Sequence, residues 1–136
     1  MRTVVAFVPR SPEACWQVFT DPQLLSAWIP ALRRAQVITR GTDGLPTEIQ
    51  FEFSQSLTYS LVYTYDLAAR EVRWEPRAGK RDAVRGFVRF EAFDEGTRLT
   101  YGLEHGHARS TADRALGDVD VLVAAFVRCM LGTARS

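Results

Sequence analysis

The chain has 136 residues, enough for one domain that buries roughly two thirds of the surface its unfolded form would expose. Hydrophobic residues make up 46% and charged residues 24%, ordinary globular values. A formal net charge of +1 gives no global pull toward DNA or an anionic membrane, and excludes binding driven by bulk charge.

Residues 2–8 alternate weakly between apolar and polar and are expected to form a strand. The opening, MRTVVAFVPR, is too short and polar for a signal peptide, and no apolar run approaches a membrane span. Cys15 and Cys129 fall on different predicted helices without metal-type spacing, so two buried, reduced thiols in a cytoplasmic protein are expected. The cations are nearly all arginine, with Lys80 the single lysine, which points to a GC-rich, bacterial coding sequence.

Ser11 can cap a helix, and Pro12 suits its first turn. One apolar turn follows in Ala14, Cys15, Trp16 and Phe19. Asp21 and Pro22 repeat the start signal, and Leu24, Leu25 and Trp28 supply a second stripe that Pro30 ends. Two short helices over 12–29 are therefore expected end to end.

Six strands follow, at 35–40, 47–54, 56–67, 70–76, 83–93 and 98–107. Strict alternation in TEIQFEFS and SLTYSLVYTYDL indicates antiparallel strands with one wet face. At Ser110 the period changes. Ser110 and Asp113 resemble a capping box, and Leu116, Val119, Val123, Phe126, Val127, Met130 and Leu131 fall on one helical stripe. This predicts a long helix over 112–133. Six hairpin-linked strands must bury one apolar face, and the only large partner is that helix. The fold class is thus α+β in a single domain, 1–136. A curved antiparallel sheet of about seven strands wraps the long C-terminal helix, and two short helices follow strand 1.

The stretch VPRSPEACWQVFTDPQLLSAWIP resembles the opening of the START/polyketide-cyclase/birch-pollen-allergen (SRPBCC) superfamily. GFVRFEAFDEGTRLTYGLE looks like its penultimate hairpin. The resemblance covers nearly the whole chain and implies the helix-grip fold. It leaves function open, because members include enzymes, carriers and receptors. Trp28 lies where the family keeps a tryptophan, and is expected to wedge between the short helices and the sheet.

Such folds commonly keep a cavity between helix and sheet. The inward positions carry Tyr59, Tyr63, Tyr65, Tyr101 and His105. Around them fall Phe51, Phe53, Leu61 and Trp74, then Val88, Phe90 and Leu103, with Phe126 and Met130 opposite on the helix. Buried phenols need hydrogen-bond partners, so several facing one volume suit a ligand or water that answers them. Alternatively some phenols reach the sheet rim and are simply wet.

His105 and His107 form an H-x-H on one strand face, but no third ligand accompanies them, and neither a metal nor a cofactor is expected. Nor is there a phosphate loop, nucleophile elbow or Cys–His pairing. If chemistry occurs, Tyr63, Tyr101 and His105 are the candidate proton-transfer groups, acting on an enolisable carbonyl. Aromatase/cyclases of the resembling family also use a cavity arginine. Here Arg85 and Arg89 share the outward face. The basic stretch REVRWEPRAGKRDAVR reads as a solvated hairpin, with docking to an anionic partner or ribosomal RNA as the alternative.

Three readings follow. The first is binding of a small hydrophobic or aromatic molecule (lipid, quinone or polyketide-like) in the cavity. The second is a cyclase/dehydratase acting on such a molecule. The third is a protein- or ribosome-interaction domain with a filled cavity. A protein partner or homodimer stays open, and stable membrane insertion is not expected.

Overall fold

Ser11 starts the first helix as its sequence predicts, its Oγ accepting the Ala14 N–H at 3.1 Å. Pro12 then opens α1, Pro12–Phe19. Thr20 closes it by returning both its N–H and its hydroxyl to the Trp16 carbonyl, at 2.9 and 2.8 Å. Asp21 repeats the start, its Oδ1 accepting the Gln23 N–H at 2.9 Å. A single 3-10 turn, Pro22–Leu24, runs directly into α2, Leu25–Trp28. The computed structural model describes residues 2–53, 58–76, 85–104 and 119–133.

The strands are β1 (Arg2–Val8), β2 (Leu32–Arg40), β3 (Pro46–Phe53), β4 (Thr58–Asp66), β5 (Glu71–Pro76), β6 (Arg85–Phe93) and β7 (Gly96–Glu104). They form one antiparallel, curved sheet in the order β1-β7-β6-β5-β4-β3-β2. The two short helices therefore carry the chain from β1 on one edge to β2 on the other. Between β6 and β7 only Asp94 and Glu95 turn the chain. Their φ values of 49° and 65° are the left-handed pair that a two-residue hairpin demands.

β2 begins at Leu32, ahead of the predicted start at 35. Leu32 pairs with Phe53 and Arg34 with Glu52, so the register shifts at Arg33 and two arginines in succession face outward. That bulge breaks the alternation by which a strand is recognised.

The C-terminal helix, α3, is described over Val119–Thr133, and packs against β1, β7 and α2. Its buried face is Val119, Leu122, Val123, Phe126 and Met130. Leu131, placed on the inner stripe by its sequence, is 45% exposed. It follows Met130 by 100° around the axis, which takes it off a face centred on Leu122 and Phe126. The predicted helix start at Ser110 and Asp113, both histidines, and the basic turn at 77–84 lie outside the described residues. Among the described residues no helix is long and apolar enough to cross a membrane.

Candidate functional site

The two-residue period of the strands fixes which side chains meet on the concave face. Phe51 pairs with Tyr59, Ile49 with Leu61, and Tyr63 with Trp74. β7 adds Tyr101 and Leu103. From the helical side α1 contributes Phe19, and α2 with its following residue contributes Leu25, Trp28 and Ile29. Together these line a cavity of about 30 Å³. A second void of about 10 Å³ lies beside it, between Thr20, Ile49, Tyr65 and Val72.

The walls are largely aromatic. The rings of Trp74 and Tyr101 lie 5.4 Å apart, Tyr63 and Trp74 6.0 Å, and Phe51 and Tyr59 5.8 Å. Phe19 sits at the centre, within ring contact of Trp28, Trp74, Phe90, Tyr101 and Phe126 at 5.5–6.4 Å.

The polar groups divide into two kinds. Tyr65 is satisfied locally, its hydroxyl donating to the Pro46 carbonyl at 2.6 Å. Tyr63 and Tyr101 are 9% and 6% exposed, and no hydrogen bond from a described protein group reaches either hydroxyl. The Trp28 indole N–H is likewise buried without a partner among the described residues. All three residues line the larger cavity. Burial pushes the Tyr63 phenol well above its ordinary pKa, helped by the neighbouring phenols of Tyr101, Tyr65 and Tyr59. Burial alone raises Tyr101. Both therefore stay neutral O–H donors through the physiological range. Chemically the site can offer hydrogen bonds to an oxygen acceptor inside an aromatic enclosure that no charged side chain among the described residues lines.

Seven of the sequence-expected residues line this cavity, namely Phe51, Tyr59, Leu61, Tyr63, Trp74, Tyr101 and Leu103. Phe53, Val88, Phe90, Phe126 and Met130 are buried in the surrounding core and do not line it. Phe90 and Phe126 touch each other at 6.0 Å, and both touch Phe19. His105 lies outside the described residues. Arg89 faces outward, as expected, donating to Glu71 at 2.7 Å.

Reading by period did not single out Phe19, Leu25, Trp28 or Ile29 for the cavity. Their apolar stripe was visible, but which of them reaches the cavity depends on the tilt of α2. Trp28, expected between the short helices and the sheet, lines the cavity with the sheet residues, and its ring partners are Phe19 on α1 and Phe126 on α3, at 5.5 and 5.1 Å.

A family model described as polyketide cyclase / dehydrase and lipid transport matches residues 2–133. No curated protein matches the chain. Among solved structures it resembles a START superfamily protein from Mycobacterium smegmatis, with 17% identity, 97% of each chain covered and a TM-score of 0.75. A protein from Thermus thermophilus, TTHA0849, is similar at 16% identity, 96% of this chain and 97% of that one, TM-score 0.73. The Zhui aromatase/cyclase from a Streptomyces species follows at 17% identity, 98% and 93% covered, TM-score 0.71. At such identities these three likenesses establish the fold.

Proposed function

Because the chain belongs to the polyketide cyclase / dehydrase and lipid transport family, we propose that it binds a small, uncharged, hydrophobic or aromatic molecule carrying an oxygen acceptor. The site is the aromatic cavity between the concave face of the sheet and the helices. One observation carries this reading: the indole N–H of Trp28 is buried without a partner among the described residues, and Tyr63 and Tyr101, whose hydroxyls make no hydrogen bond among those residues, line the same apolar volume. A buried unsatisfied donor costs about 1–3 kcal/mol, a penalty that a carbonyl or quinone oxygen reaching the Trp28 N–H would remove.

At about 30 Å³ the cavity has room for a water but not for such a ligand. Uptake therefore requires a wall to move, and α2 is the shortest α-helix in the wall. It is a single turn, joined to β2 through Pro30 and Ala31. Ala31 holds a left-handed φ of 63°, a conformation that costs a residue with a Cβ about 1–2 kcal/mol. An outward swing of α2 about Pro30 and Ala31 would open the cavity.

An enzymatic form of the same reading draws support from the aromatase/cyclase among the structural neighbours. In it Tyr63 and Tyr101 would polarise a ketone oxygen of a polyketide-like substrate. Both phenols stay protonated at neutral pH and so cannot act as the proton acceptor, which leaves His105 as the candidate for that role. The small volume favours a different reading, an interaction domain with a filled interior. Titration of the full chain with 9-fluorenone decides between them. Ligand binding gives a saturable rise in melting temperature, with fluorene, which lacks the carbonyl, about fivefold weaker for one lost hydrogen bond. No response to either compound would favour the filled interior.

A further inference from the structure

Two voids lie on either side of a shared wall. The larger lies among Trp28, Tyr101 and Leu103, and the smaller among Thr20, Tyr65 and Val72. They have three lining residues in common, Phe19, Leu25 and Tyr63. Resting on the ligand-binding reading above, we infer that Phe19 is the residue that sets how large a ligand the site accepts, because its ring is the removable part of the partition between the two voids.

The other two members of the partition are poorly suited to that role. Tyr63 is fixed within β4 by its pairing with Trp74 of β5, and its hydroxyl belongs to the recognition surface. Leu25 is smaller and comes from α2, the wall that moves. Phe19 ends α1, directly before the Thr20 cap, and is the only α1 side chain lining either void. It is 6% exposed and surrounded by five aromatic rings, so its volume is entirely interior. Shortening it joins the two voids into one space running from Ile29 and Tyr59 to Thr20 and Tyr65. It also uncovers the faces of Trp28, Trp74 and Tyr101 toward that space. With Phe19 in place a ligand is confined to the Trp28–Tyr101 end. Without it a longer flat molecule fits while its carbonyl still reaches the Trp28–Tyr101 end.

The test compares two ketones, 9-fluorenone and the larger benzanthrone, on the wild type, Phe19→Leu, Phe19→Ala and Phe90→Leu. Phe90 touches Phe19 and Phe126 but lines neither void, so its variant loosens the core without breaching the partition. The wild type should prefer 9-fluorenone. Phe19→Leu should shift the ratio of affinities toward benzanthrone by about tenfold, the scale on which pocket size discriminates, and Phe19→Ala by more. Phe90→Leu should leave the ratio unchanged. Phe19→Leu keeps an apolar side chain and carries the test if Phe19→Ala does not fold. An unchanged ratio in a folded, fluorenone-binding Phe19→Leu overturns the inference and leaves the ligand reading intact, as does an equal shift in Phe90→Leu. Failure of all four proteins to bind either ketone overturns the ligand reading, and the partition with it.

Discussion

The guanidinium of Arg10 donates a 3.0 Å hydrogen bond to the carbonyl of Met130, tying the loop after β1 to the last turn of α3. The final carbonyls of a helix lack intrahelical donors, and a cation there also meets the negative end of the helix dipole. Arg10→Met should therefore lower unfolding free energy by about 1–2 kcal/mol in urea denaturation. Arg10→Lys should recover part of it. Equal stability of Arg10→Met and wild type would show that the bond is incidental.

Tyr63 should matter for ligand recognition more than for folding. Tyr63→Phe removes one donor that has no partner among the described residues, so it should weaken 9-fluorenone about fivefold, one hydrogen bond's worth, and leave fluorene unchanged. Calorimetry on both compounds checks this, and equal losses for the two would assign Tyr63 to packing alone.

The same phenols predict a pH profile. Burial raises Tyr63 and Tyr101 above the ordinary value of 10.0, so the folded state keeps both protonated where unfolded tyrosines ionise. Their neutral form is fully available below pH 10, and stability falls above it as the unfolded chain gains phenolate. Affinity for 9-fluorenone should accordingly stay flat from pH 6 to about pH 10. A decline beginning near pH 8 would mean that some other group controls binding.

How much of this was legible beforehand differs between sheet and helices. Alternation placed Phe51, Leu61, Tyr63, Trp74, Tyr101 and Leu103 on one face, because a strand's period of two leaves only two choices. It could not tell that Phe53 and Phe90 pack into solid core while Phe51 borders empty space, since that depends on what the helices set against each ring, as Phe19 and Phe126 are set against Phe90. Phe19 and Trp28 were recognisable as apolar helix positions. Their place in the cavity comes from the angle at which two short helices cross the sheet, and no local pattern carries that angle. The early start of β2 was hidden by the bulge at Arg33.

Glycine at position 86 makes room for a cavity wall. A Cβ there would meet the Trp74 ring at 2.9 Å and the Gly102 carbonyl closer still. Gly86→Ala should cost about 1–3 kcal/mol and weaken 9-fluorenone by pressing Trp74 into the cavity. Gly132, on α3, has nothing within 4 Å of its Cβ position, so Gly132→Ala should stabilise by about 0.5–1 kcal/mol with affinity unchanged. Thermal melts of both variants give the comparison, and matching effects would remove the special role of Gly86.

The central claim is that cavity donors without partners among the described residues await an oxygen acceptor, and the buried Trp28 indole N–H reports on it most directly. Three tryptophans make the indole ¹H–¹⁵N region of the labelled protein simple to assign by substitution. On titration with 9-fluorenone the Trp28 cross-peak should move downfield and saturate. The Trp16 peak, whose ring packs edge-on to Tyr65 outside the larger cavity, should stay in place. A Trp28 peak that remains fixed to ligand saturation would contradict the account.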